Sequence, residues 1–97
     1  MTAYVIADID VTDPEAYRGY MALVPGTVEP FGGRFVIRGG NHETLEGPWR
    51  PHRLVMIEFP SAGHARRWYE SGAYVAATAI RHRSSAGSLV LVEGAGD

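Results

Sequence analysis

Three features of this sequence predict an α+β fold built on one antiparallel sheet. Four stretches rich in β-branched residues and two stretches with apolar residues at helical spacing follow one another as strand, helix, strand, strand, helix, strand. Gly, Pro, Ser and Asp mark the boundaries between them. The 97 residues suit a single domain, 1–97, of a size that buries roughly 60 to 65% of the surface exposed by its unfolded chain. The βαββαβ order is that of the ferredoxin-like split βαβ arrangement, with a four-stranded sheet in spatial order 4-1-3-2 and both helices on one face.

The first strand spans 3–11, where Val5, Ala7, Ile9 and Val11 alternate with Tyr4, Ile6, Asp8 and Asp10. Thr12-Asp13-Pro14-Glu15 starts the first helix, either with Asp13 as cap and Pro14 at the first helical position or with Thr12 and Glu15 as a capping box. Tyr17, Tyr20, Met21 and Val24 form its buried stripe. Pro25 brings no backbone donor and restricts Val24, so a break or kink is expected there, with a short second helical piece ending near Phe31. The second strand is 34–38, and Gly39-Gly40 permits a bend or bulge before an extended piece around Thr44 and Leu45. The third strand, 53–59, stops at Pro60. Ser61 caps a helix whose inner face is Ala65, Trp68 and Tyr69, and Ser71-Gly72 interrupts it. Helical spacing resumes to about His82, and 88–93 form the last strand before a Gly-rich tail.

Alternation then assigns the two faces of the sheet. The helix side receives Val5, Ala7, Ile9, Phe35, Ile37, Val55, Ile57 and Phe59, all apolar. The other side receives Ile6, Val36, Leu54 and Met56, joined in one register by Leu89 and Leu91, where an antiparallel sheet with one wet face would carry mainly polar residues. A second copy of the chain, packed sheet against sheet, is the expected cover, as a homodimer or a dimer of dimers.

Composition removes several chemistries. There is no Cys, hence no disulfide, thiolate nucleophile or cysteine metal site. All nine basic residues are Arg, so there is no lysine for a Schiff base or a P-loop. A net charge of −2 offers no general attraction to nucleic acid or anionic membrane, and neither is an expected partner. The opening MTAYVIADIDV has no basic leader and meets Asp8 and Asp10 before a signal core could form, so the expected location is the cytoplasm.

The segments AYVIADIDVTDPEAY, FGGRFVIRGG, LEGPW followed by Arg53, EFPS with ARRWYESGAY, and the closing LVLVEG resemble the DUF1330 family, in that order, from about Ala3 to Gly94. The resemblance implies the dimeric α+β barrel superfamily, in which two ferredoxin-like sheets pair and whose members include small-molecule monooxygenases, isomerases and haem-degrading enzymes. It transfers no reaction, because fold analogy is a weak warrant for chemistry.

On the sheet face away from the helices, Arg38 is placed near Asp8 and Asp10 at one end, and Arg34 near Glu58 at the other. A pocket between sheet and partner would use Arg38 to orient a small anionic metabolite, and Asp8 or Glu58 as general acid or base after desolvation raises its pKa. The structural alternative is a cross-strand Arg34–Glu58 pair and a solvated rim. His52, opening the third strand, is the titratable candidate at the barrel mouth. Trp68 and Tyr69, with Trp49 and Tyr74 nearby, would bind a planar ligand, or else Trp68 is core and Tyr69 makes one buried hydrogen bond. His42, His52, His64 and His82 have no metal-ligand spacing, so no metal and no organic cofactor is expected. Gly39-Gly40-Asn41-His42 is no phosphate loop, the serines lack a nucleophile elbow, and Asn41, Trp68 and His64 or His82 do not match a haem-degrading set. Two functions follow: a cofactor-independent small-molecule enzyme, isomerase or monooxygenase-like, or a non-catalytic ligand-binding or assembly module.

Overall fold

A computed structural model describes residues 1–96 of the chain. Strand β1 is Ala3–Val11, helix α1 Pro14–Val28, β2 Arg34–Arg38, β3 Leu54–Phe59, α2 Ala62–Glu70, α3 Gly72–Ser84 and β4 Ser85–Glu93, with a 3-10 turn at Glu29–Phe31. The four strands form one antiparallel sheet in the order β2-β3-β1-β4, the ferredoxin-like arrangement. No helix among the described residues is long and apolar enough to cross a membrane.

Helix boundaries follow the caps. Asp13 accepts from the Ala16 amide at 3.2 Å with Pro14 in the first turn, so the Asp13 cap is the one used. Ser61 caps α2 through the His64 amide, and Ser71 both ends α2 and caps α3 through the Tyr74 amide. Gly32, with φ 75°, takes the left-handed position that closes the 3-10 turn. Of the break or kink expected at Pro25, no break occurs, since α1 runs from Pro14 to Val28; the short helical piece expected to end near Phe31 is the 3-10 turn Glu29–Phe31. Thr44 and Leu45 form no strand, and residues 39–53 are an irregular loop. β4 begins at Ser85, earlier than its apolar run.

The core lies between sheet and helices, where Ala3, Val5, Ala7, Ile9, Ile57 and Phe59 meet Tyr17, Tyr20, Val24, Val28, Trp68 and Tyr74. One pairing departs from simple alternation, and a second settles which way the last strand faces. Phe35 pairs with Ile57, but the next pairs are Ile37 with Met56 and Arg38 with Val55, so Val36 is the extra residue of a bulge. One inserted residue exchanges the faces of everything after it. Ile37 therefore lies on the outer face and Arg38 on the helix side, the reverse of the expectation for both. In β4, Leu89 pairs with Ala7 and Leu91 with Val5, which puts these leucines against the core and turns Val90 and Val92 outward. The outer face thus carries Tyr4, Ile6, Ile37, Leu54, Met56, Val90 and Val92, more apolar surface than alternation alone assigned to it.

Candidate functional site

On the outer face, Asp8 works as the anchor of the 39–53 loop. Its Oδ2 accepts from Trp49 Nε1 at 2.9 Å and its Oδ1 from the His52 backbone amide at 2.9 Å. These hydrogen bonds, the Trp49 one foremost, hold the carboxyl below its ordinary range and outweigh the slight desolvation. The expected upward shift toward a general acid is reversed. The His52 ring stands exposed, 3.9 Å from Asp8 and 3.8 Å from Asp10. At the other end Glu58 accepts from Arg34 at 2.8 Å, the cross-strand pair of the structural alternative. Arg38 is not beside Asp8 or Asp10, since the bulge has carried it to the other side. The structure does not bring Asp8, Glu58 and His52 together into an enclosed cavity.

Trp68 is 0% exposed and sits at the centre of the core. Its rings lie 4.0 Å from Tyr74 and 5.4 Å from Phe59. Its Nε1 donates to Thr27 Oγ1 at 3.1 Å, and Thr27 in turn donates to the Val24 carbonyl. Tyr69 is 49% exposed and not the buried hydrogen-bonding side chain anticipated; it borders a hollow of about 170 Å³ between α2 and β4. Tyr74 joins this cluster, whereas Trp49 sits with Asp8.

A partly open cavity lies on the helix side of the sheet, opposite the expected pocket, between α1 and strands β1, β2 and β3. It measures about 30 Å³, room for little more than a water molecule. Val5, Ala7, Val55, Ile57, Met21 and Trp68 give apolar walls, and the polar lining is Arg38, Arg53, Tyr17 and Tyr20, with no carboxylate. Arg38 stacks its Cζ 4.5 Å over the Phe35 ring and donates from Nη2 to the Met21 carbonyl at 2.7 Å. Arg53 reaches inward past Gly39, whose φ of 72° and missing Cβ leave the space that the guanidinium fills. The Nε of Arg53 is buried and meets no acceptor, and so is that of Arg81, a residue 7% exposed on α3.

Tyr20 and Tyr74 share a hydroxyl hydrogen bond of 2.8 Å. Burial, reinforced by Tyr74, pushes the Tyr20 phenol up. Burial also raises Tyr17, against the pull of the nearby Arg53 and Arg81 guanidinia. These phenols are hydrogen-bond donors at neutral pH, and the guanidinia are positive charges in an apolar wall. The arrangement can bind negative charge and stabilise it as it develops on an oxygen. Sequence reading missed Arg53 and Arg81. Arg53 is in phase with Val55, Ile57 and Phe59, and Arg81 lies at helical spacing from Tyr74 and Ala77, so inward register was the available signal for both. Among the described residues no group of three or more His, Asp or Glu side chains converges to ligate a metal.

Structures similar to this one share its fold. A protein of unknown function from Rhodopseudomonas palustris, RPA0582, superimposes with TM-score 0.77 at 18% identity, over 99% of this chain and 84% of that one. SnoaB, a cofactor-independent oxygenase from Streptomyces nogalater, does so with TM-score 0.64 at 14% identity, over 99% and 94%. An antibiotic biosynthesis monooxygenase gives 0.58 at 15% identity, over 99% and 100%. No curated protein sequence matches the chain. The family model that matches is the domain of unknown function DUF1330, over residues 2–95, and with nearly the whole length matched the chain belongs to the DUF1330 family.

Proposed function

We propose that this chain binds a compact, anion-forming small molecule in the cavity beneath α1 and acts on it as a cofactor-independent enzyme, isomerase or monooxygenase-like. The observation that carries the reading is the Arg53 guanidinium: its Nε is buried without an acceptor in the wall of an apolar cavity that contains no acid. The Arg53 side chain as a whole is half-buried beside Tyr17, but its buried Nε–H without an acceptor is costly, and an anionic ligand would pair it. Arg53 and Tyr17 would face the negative oxygen of an enolate, phenolate or carboxylate, and Tyr17, kept protonated by burial, is placed to donate to it. The same fold carries a cofactor-independent oxygenase in SnoaB, which is consistent with chemistry performed by substrate and side chains alone. A ligand larger than a water molecule must widen the cavity, so binding entails movement of α1 or of the arginines.

Isothermal titration with small carboxylates, phenols and enolisable ketones tests this. Binding to the native chain, weakened tenfold or more in Arg53→Gln, is the expected result. Undiminished binding by the variant overturns the site. Conversion of the bound compound, followed by NMR under air and under argon, separates oxygen-dependent from isomerising chemistry.

A second reading is supported by the outer face. Its charges are paired or pinned at the ends, leaving an apolar belt across the middle. A homodimer through this face would cover the belt, with roughly 1,200 Å² or more of total buried area. If the cavity takes no ligand, an assembly module is the function that remains.

A further inference from the structure

Pro25 lies inside α1 and has no N–H to give to the carbonyl four residues before it, that of Met21. Arg38 supplies a donor to that carbonyl instead, from Nη2 at 2.7 Å. It can do so only because the Val36 bulge turns it to the helix side, where its guanidinium also lies over Phe35. Met21, Phe35 and Arg38 all line the cavity, so this hydrogen bond ties β2 to α1 across its mouth. The acceptor is neutral and the contact is exposed. A carboxylate would hold the same guanidinium in a charge-assisted fork, and water would replace the donor at the released carbonyl.

Resting on the cavity reading above, we infer that Arg38 is the latch of this cavity, and that the ligand is a compact planar carboxylate that takes the guanidinium over from the Met21 carbonyl. The flat shape follows from the walls, since the Phe35, Tyr17, Tyr20 and Trp68 rings border the space. The acidic group follows from the absence of any carboxylate among those walls beside two guanidinia. In the free chain the latch holds Arg38 away from the ligand, so apparent affinity is lowered by the fraction of molecules in which it is closed. Pro25 thereby becomes a determinant of affinity without touching the ligand.

The test uses benzoate and salicylate with the full chain. Pro25→Ala restores an N–H to the Met21 carbonyl and frees Arg38, and it should bind these probes about 3- to 10-fold more tightly than the native chain. Arg38→Lys keeps the charge but loses the planar fork, and should bind about tenfold more weakly. The double variant should show none of the gain from Pro25→Ala, because the gain passes through Arg38. Without ligand, exchange of the Arg38 guanidinium protons should quicken in Pro25→Ala, a helix-favouring change that leaves the fold intact. Native-chain binding with unchanged or weaker binding by Pro25→Ala overturns the latch and leaves the cavity reading standing. A native chain that binds neither probe overturns the latch and its ligand class, and failure of the phenols and enolisable ketones as well overturns the cavity reading.

Discussion

The two faces of the sheet are built from nearly the same apolar residues, yet they treat their charges in opposite ways. On the outer face the charged side chains stand at the ends and have partners: Glu58 takes Arg34, and Asp8 takes Trp49 and the His52 amide. On the helix side the arginines meet no acid: Arg81 is buried, Arg53 is half-buried with its Nε enclosed, and Arg38, exposed at the edge, donates to a neutral carbonyl. Where ionic groups are satisfied locally, the surface between them is free to serve packing; where buried guanidinium N–H groups lack acceptors, as in Arg53 and Arg81, an anion would find donors waiting. On the reading proposed above, assembly belongs to the outer face and recognition to the inner one.

Four substitutions probe that division. The largest expected effect is on the helix side: Trp68→Ala removes the largest fully buried side chain and its bond to Thr27, and should cost about 3 to 5 kcal/mol in urea denaturation. A small loss there would mean that the core does not depend on it. Next is Ile6→Asp at the centre of the outer belt, opposite Met56 and Val90. It should leave the circular dichroism unchanged and weaken self-association by about 2 kcal/mol or more, read as a halved mass in sedimentation. A native chain that already sediments as a monomer at micromolar concentration would remove the assembly role of this face.

Tyr20→Phe is the third. It strands the Tyr74 hydroxyl in the core and should cost about 1 to 2 kcal/mol, whereas replacing both tyrosines by Phe should cost less than either single change. Equal and additive losses would show that the hydroxyl pair carries no coupling. The smallest effect concerns Asp8. Because its folded-state pKa is depressed by hydrogen bonds, the stability it contributes is complete above the usual carboxylate range and disappears as pH falls through and below about 4. Urea midpoints between pH 3 and 7 should fall less steeply with acid in Asp8→Asn than in the native chain; identical slopes would show that the loop is anchored without that charge.

Features that rest on local chemistry were legible along the chain. Alternation in 3–11 and 53–59, the helix start at Thr12-Asp13-Pro14-Glu15, the Ser61 cap, the interruption at Ser71-Gly72 and the β-branched runs dictate four strands and their helices, and the strand order follows from the connections. The apolar second face was legible for the same reason, and so was the enclosure of Trp68. The direction in which particular side chains point was settled by the packed fold. A bulge at Val36 depends on the pairing of β2 with β3, and one added residue exchanged Ile37 with Arg38. Leu89 and Leu91 turned inward because β4 pairs with β1 in that register, a relation between segments some eighty residues apart. The unbroken α1 has the same origin: Pro25 removes a helical hydrogen bond, and a side chain from β2 donates to the carbonyl left behind. Local sequence states which donors are missing, and only the packed chain states which distant groups replace them.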